Sequence, residues 1–269
     1  LGQKIKIRPA REALILHRLV ARHKGPFPKR ELVRIWRELI VATLSFEGPF
    51  SVAVHMPEFG SGYWDLARDQ YGSFTPMTGH ASPRRVIEAV RSQEATVGIV
   101  PLPAQDETDP WWPYLATTSP DAPRVVARLP FAGPGNGRDA DLNGLVICPL
   151  AAEPTGRDRS LIAIEAGDDI ALASLGPALA EAGLPVTFTA QSDAEQAPGT
   201  RLYLAEVDDF AGEDDRRIIR YLDAAGSTVT RVVGLGSYAV PLTPEQLAPP
   251  PAKKKPVRKK APRRKAARS

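Results

Sequence analysis

Cysteine and histidine are scarce: Cys148 stands alone, and four His are scattered over 269 residues. A lone thiol makes no internal disulfide and these spacings offer no zinc tetrad, so a disulfide or metal framework is excluded. Long hydrophobic runs are missing too. No stretch approaches the roughly 18 apolar residues a membrane span needs, and no charged segment leading into a short apolar one opens the chain. The expectation is a soluble, cytoplasmic protein without membrane contact. What is present is ordinary, 43% hydrophobic and 25% charged, in a length that allows more than one domain. The net charge of +4 hides an asymmetry: residues 253–269 carry ten Lys or Arg and no acid, which leaves the body at −6. The chain opens on Leu1 rather than Met, inside a polar, basic stretch (Gln3, Lys4, Lys6, Arg8), so an incomplete N-terminus is expected.

Leu16, Leu19 and Val20, with Glu12 one turn upstream and Pro9 at the start, predict a helix over 9–22. Gly25-Pro26-Phe27-Pro28 breaks it. Leu32, Ile35, Trp36, Leu39, Ile40, Thr43 and Glu47 then recur at three- and four-residue steps, a longer helix ending near Gly48-Pro49. Strand-like runs at 51–55, 74–77 and 96–100 alternate with helical stretches at 62–71 and 83–91, the pattern of a small parallel α/β unit. Residues 103–143 read mostly as connection, with a strand at 124–129 and another at 145–148. From 160 to 235 the order strand, helix, strand, strand, helix, strand is the ferredoxin-like split arrangement. The fold class expected is α+β with several domains: helices over 1–48, an α/β unit with linker over 49–150, a ferredoxin-like unit over 151–241, and a disordered basic tail over 242–269.

Two features carry chemistry. Glu47 continues the apolar stripe one turn after Thr43, where burial favours a neutral acid able to donate to an oxygen whose bond is breaking; the alternative is a frayed helix end in water. Arg11 and Glu12 adjoin on the first helix, where a guanidinium could orient a dianionic substrate and a carboxylate could accept from a hydroxyl; the alternative is an exposed charge pair.

Arg8-Pro9-Ala10-Arg11-Glu12, Gly25-Pro26-Phe27-Pro28, Val33-Arg34-Ile35-Trp36-Arg37-Glu38-Leu39-Ile40 and Leu44-Ser45-Phe46-Glu47 resemble, in order, the second and third helices of the all-helical chorismate mutases fused to prephenate dehydratase. Residues 52–103 look like the dehydratase's first lobe, with Val52-Ala53-Val54-His55-Met56-Pro57-Glu58-Phe59-Gly60 at its opening strand and turn, and Gly98-Ile99-Val100-Pro101 at its Val-Pro strand. Residues 156–238 look like its regulatory ACT domain. The resemblance implies a mutase site of Arg11, Glu12, Thr43 and Glu47, with Arg8, Lys4 and Lys6 as further substrate-binding candidates. It implies a pericyclic rearrangement of chorismate to prephenate in phenylalanine and tyrosine biosynthesis, with no cofactor, in a homodimer. The family's first helix, with two arginines and a lysine, would precede Leu1.

The dehydratase signatures depart from the family: its Gly-Thr-Phe-Ser turn reads Phe59-Gly60-Ser61-Gly62, its Asn-Ser segment Leu102-Pro103-Ala104-Gln105, and its Thr-Arg-Phe motif Leu142-Asn143-Gly144-Leu145. No room remains between Leu129 and Leu142 for a second lobe. Loss of dehydratase activity is therefore expected, and an ACT-like unit kept for dimer packing. The tail has no aromatics and offers polyanions only phosphate contacts, or docks on the acidic body. The competing expectation is a catalytically inactive regulatory or polyanion-binding protein; an intact bifunctional mutase/dehydratase is the weakest reading. Trp111-Trp112 are expected to anchor their Pro-rich loop by packing.

Overall fold

The structure, a computed structural model, describes residues 7–58, 61–105, 107–134, 142–197, 199–212 and 214–249, the side chains of 45 and 193–197 excepted. Lys4, Lys6 and residues 250–269 of the basic tail lie outside the described residues.

α1 (Pro9–Arg22) begins with proline in its first turn, where a missing N–H is no loss, and α2 (Lys29–Glu47) runs back beside it as far as Gly48. β1 (Val52–His55), α3 (Gly62–Tyr71), β2 (Met77–His80), α4 (Pro83–Arg91) and β3 (Val97–Pro101) give three parallel strands in the order β2-β1-β3. β4 (Arg124–Leu129) and β5 (Gly144–Cys148) pair antiparallel, and β5 lies beside β3. The last strands are β6 (Asp158–Gly167), β7 (Val186–Ala197), β8 (Thr200–Val207) and β9 (Val229–Ala239), with α5 (Leu172–Glu181) and α6 (Arg216–Ala225) between them. Their order, β9-β6-β8-β7, is antiparallel throughout and is the split arrangement expected from the sequence.

The two halves share one sheet. β9 meets β4 in parallel through Val125 and Gly236, so nine strands run in the order β2-β1-β3-β5-β4-β9-β6-β8-β7. Gly236 permits the approach: its φ is +121°, and a Cβ there would lie 2.2 Å from the Val125 carbonyl oxygen.

Alternating side chains send the core to both faces. On one face Val125, Ile147, Leu161 and Ala163 pack with Val86 and Val90 of α4 and with Trp111, Trp112 and Leu115. Both tryptophans are fully buried, as the packing reading requires. On the other face Val126 and Leu129 meet Leu66 and Tyr71 of α3, while Ile162 and Ile164 meet Leu175 of α5 and Ile218 of α6. α1 and α2 lie over the junction of β4 and β9, where Ala13, Leu16 and Val33 pack with Phe131, Ala239 and Leu242.

The structure differs from the sequence reading in two places. The strand expected at 74–77 lies at Met77–His80, because Thr75 Oγ1 donates to the Tyr71 carbonyl and Pro76 follows, which holds residues 72–76 in a turn with Phe74 fully exposed. Disorder expected from residue 242 does not begin there. Leu242 is buried and its N–H donates to the Phe131 carbonyl at 2.8 Å, and Thr243 and Gln246 form a capping box on α7 (Pro244–Leu247).

Candidate functional site

Glu12 sits in the first turn of α1, where the exposed N–H groups of a helix favour an acid. Its Oε2 accepts from Arg37 Nη1 at 2.6 Å, and its Oε1 accepts from the Arg8 backbone N–H at 3.3 Å. The pair is nearly dry, with side-chain exposures of 8% for Arg37 and 14% for Glu12. Arg37 lies on the buried side of α2, in line with Val33 and Val41. With its amide oxygen turned toward the guanidinium, Gln70 accepts from Nη1 at 3.0 Å and Nη2 at 3.2 Å. The guanidinium carbon stands 5.6 Å from the centre of the Phe131 ring, and Nε has no partner. Burial, with Glu12's charge adding to it, holds the neighbouring Tyr71 phenol far above its ordinary range.

Thr43 and Glu47 lie elsewhere. At 100° per residue they are turned well away from Arg37 around the helix. Both are exposed, and the Thr43 hydroxyl donates to the Ile40 carbonyl of its own helix at 2.6 Å. Around them runs an uncovered apolar row: Ile35, Trp36, Leu39 and Phe46, the last 90% exposed. The stripe that the sequence reading took as the buried face is thus the outer one, and the inner face is built on Val33, Arg37, Val41 and Leu44. Arg11 and Arg8 are exposed. The structure brings Glu12 together with Arg37, Gln70, Tyr71 and Phe131, and not with Thr43 or Glu47. The cavity beside Glu12 encloses about 20 Å³, room for a water and not for a ring-sized dianion.

Sequence reasoning missed Arg37 and Gln70. The available signal was an arginine recurring with Val33 and Val41 at four-residue steps, a buried cation that must find an acid.

In the α/β half, His55 ends β1 and stacks on Tyr63 at 5.5 Å, and burial lowers its pKa. Ser61 stands at the N-cap of α3 without capping it. Leu129 pairs with Gly144, so β4 and β5 form a hairpin. Burial pushes the Cys148 thiol up to about 12, out of the nucleophilic range. Among the described residues no three His, Cys, Asp or Glu side chains converge as a metal site, and no helix is long and apolar enough to cross a membrane.

No family model matches the chain. It is 32% identical over 95 residues to a bifunctional chorismate mutase/prephenate dehydratase of Pseudomonas aeruginosa; the match covers 35% of this chain and 26% of the relative, so the chain spans about a quarter of that relative's length. Among solved structures, a prephenate dehydratase of Arthrobacter aurescens in complex with L-Phe aligns with a TM-score of 0.52 at 13% identity, over 73% of this chain and 94% of that one. A protein described as a novel type of quorum-quenching acylase, GqqA, aligns equally well, with a TM-score of 0.52 at 12% identity, over 74% of this chain and 98% of that one. Likeness at such identities speaks for the fold and not for the activity. The relationship expected from the sequence is shown by these comparisons: the chain is a relative of the chorismate mutase/prephenate dehydratase family and carries a sheet fold like that of prephenate dehydratase.

Proposed function

We propose that the protein is a chorismate mutase acting as a homodimer, with its site on the outer side of α2. The observation that carries this reading is the placement of Thr43 and Glu47 inside the uncovered row of Ile35, Trp36, Leu39 and Phe46, a face whose apolar side chains need another helix over them. Once that face is covered, Arg11 binds a substrate carboxylate, Thr43 and Glu47 hydrogen-bond the ether oxygen, and the walls select the compact conformer. The rearrangement is pericyclic, so orientation and charge stabilisation do the catalysis and no covalent intermediate forms. Glu12, fastened to Arg37, holds α1 against α2 and acts as a positioning residue. Dehydratase activity is absent from this proposal, because β4 and β5 close as a hairpin where a second lobe would enter.

A second reading is a catalytically inactive binding protein in which the ACT-like half and the basic tail regulate or contact polyanions. The Glu12–Arg37 pair favours it, since the carboxylate the family uses on substrate is engaged inside the fold. The variants Glu47→Gln and Glu47→Ala separate the two in the full-length protein. Glu must be protonated to donate and Gln donates at every pH. Under the mutase reading Glu47→Gln flattens the fall of kcat/KM with rising pH, and Glu47→Ala lowers it at all pH values. An unchanged pH profile in both variants removes Glu47 from the site.

A further inference from the structure

The opposite side of α2 forms one wall of a larger cavity. Arg30, Arg34 and Arg37 follow at four- and three-residue steps and so share one stripe of the helix. Leu66, Asp69 and Gln70 of α3 stand across from them, and residues 129–134 close the end. The space is about 290 Å³, at the small end of what metabolite sites enclose. Its walls divide by chemistry. Leu66, Leu129 and Phe131 are apolar and buried, whereas Arg30, Arg34, Glu31 and Asp69 are exposed.

The cationic side of this cavity is only partly satisfied. Arg37 is 7% exposed, its Nη groups are engaged by Glu12 and Gln70, and its Nε has no hydrogen-bond partner. A buried N–H left without an acceptor is unfavourable, and an incoming oxygen relieves it. Arg34 makes no ion pair among the described residues, and Arg30 reaches only the Pro134 carbonyl, at 2.5 Å. Three guanidinium groups face two carboxylates, and one guanidinium is already neutralised by Glu12. That balance suits a single negative charge and disfavours a phosphate dianion, which Asp69 and Glu31 would repel. The apolar wall suits a ring-sized body.

We propose that this cavity binds a small metabolite with one carboxylate on an apolar, ring-sized body. The carboxylate accepts from Arg34 and from the Nε of Arg37, and the body lies against Phe131, Leu66 and Leu129. The site is on the other side of α2 from Thr43 and Glu47, and it touches the guanidinium that fixes α1. Its occupancy is read by binding and not by turnover, so it stands or falls independently of mutase activity.

Isothermal titration of the full-length protein with 3-phenylpropanoate, and with the neutral 3-phenylpropanamide as its counterpart, tests the assignment. The carboxylate is expected to bind saturably and the amide at least about tenfold more weakly, the loss of a charge-assisted contact. Arg34→Ala should weaken the carboxylate by a similar factor. Asp69→Asn should strengthen it by removing a like charge. Both positions are exposed, so unchanged melting curves verify that the variants fold. Absence of saturable binding at millimolar 3-phenylpropanoate overturns the proposal, as does equal affinity for the amide or an affinity indifferent to Arg34→Ala.

Discussion

Replacing Arg37 by Met keeps the length of the side chain and removes its charge, which isolates what the guanidinium does between α1, α2 and α3. The Glu12 carboxylate, with a side-chain exposure of 14%, would keep only the 3.3 Å contact from the Arg8 N–H. Gln70 would lose both donors that reach its oxygen, and Phe131 the cation above its ring. Removing one member of a buried pair costs about 3–5 kcal/mol, because the other charge stays behind uncompensated. With a urea dependence of about 1–3 kcal/mol per molar, the midpoint should fall by on the order of 1 M or more. The fluorescence of the buried Trp111 and Trp112 reports the transition directly. The double variant Glu12→Gln/Arg37→Met removes both charges and should recover to within about 1 kcal/mol of the parent, since an apolar or neutral replacement of a whole buried pair is often close to neutral. A single variant that loses less than about 1 kcal/mol, with the double variant simply additive, would refute the view that this pair clamps the hairpin.

Gly236→Ala should be among the most damaging substitutions in the sheet, by at least about 2 kcal/mol. It places a Cβ onto the Val125 backbone at a φ of +121°, and urea unfolding should show β4 and β9 separating as one event. Stability should also fall as pH drops from 7 to 5. Burial lowers the pKa of His17, whose Nε2 donates to the Val240 carbonyl at 3.0 Å, and of His55 as well. Both are therefore neutral in the fold while the unfolded chain takes up protons below about 6.5, so acid favours unfolding. Midpoints across that range should flatten in His17→Gln, and a parent protein with constant stability from pH 7 to 5 contradicts this.

Local signals served well where a proline or a helix cap marks a boundary. α1, α3, α4 and β4 fall where periodicity and punctuation place them, because Pro9 and Pro83 can only open helices and Gly72 closes one. β9 runs on to Ala239, past the expected end at 235, because Gly234 and Gly236 are not terminators: the second is where β4 crosses close by. The shared sheet was not legible, since Val125 and Gly236 are more than a hundred residues apart and nothing local encodes their pairing. Which face of α2 turns inward was not legible either. The helix carries two apolar stripes, and the richer one, with Ile35, Leu39 and Phe46, is the one left uncovered. The choice was made by Arg37, whose partner Glu12 sits on α1 and whose acceptor Gln70 sits on α3. Lys4 and Lys6 lie outside the described residues, so the candidate site is known through Arg8, Arg11, Glu12, Thr43 and Glu47.

The most direct measurement is chorismate turnover by the purified full-length protein, followed as loss of chorismate and appearance of prephenate, with Arg11→Ala measured beside it. The account predicts prephenate formation, and a drop of about a hundredfold in kcat/KM when the carboxylate-binding guanidinium is removed. A folded protein that leaves chorismate unchanged, or that turns it over equally well without Arg11, contradicts it.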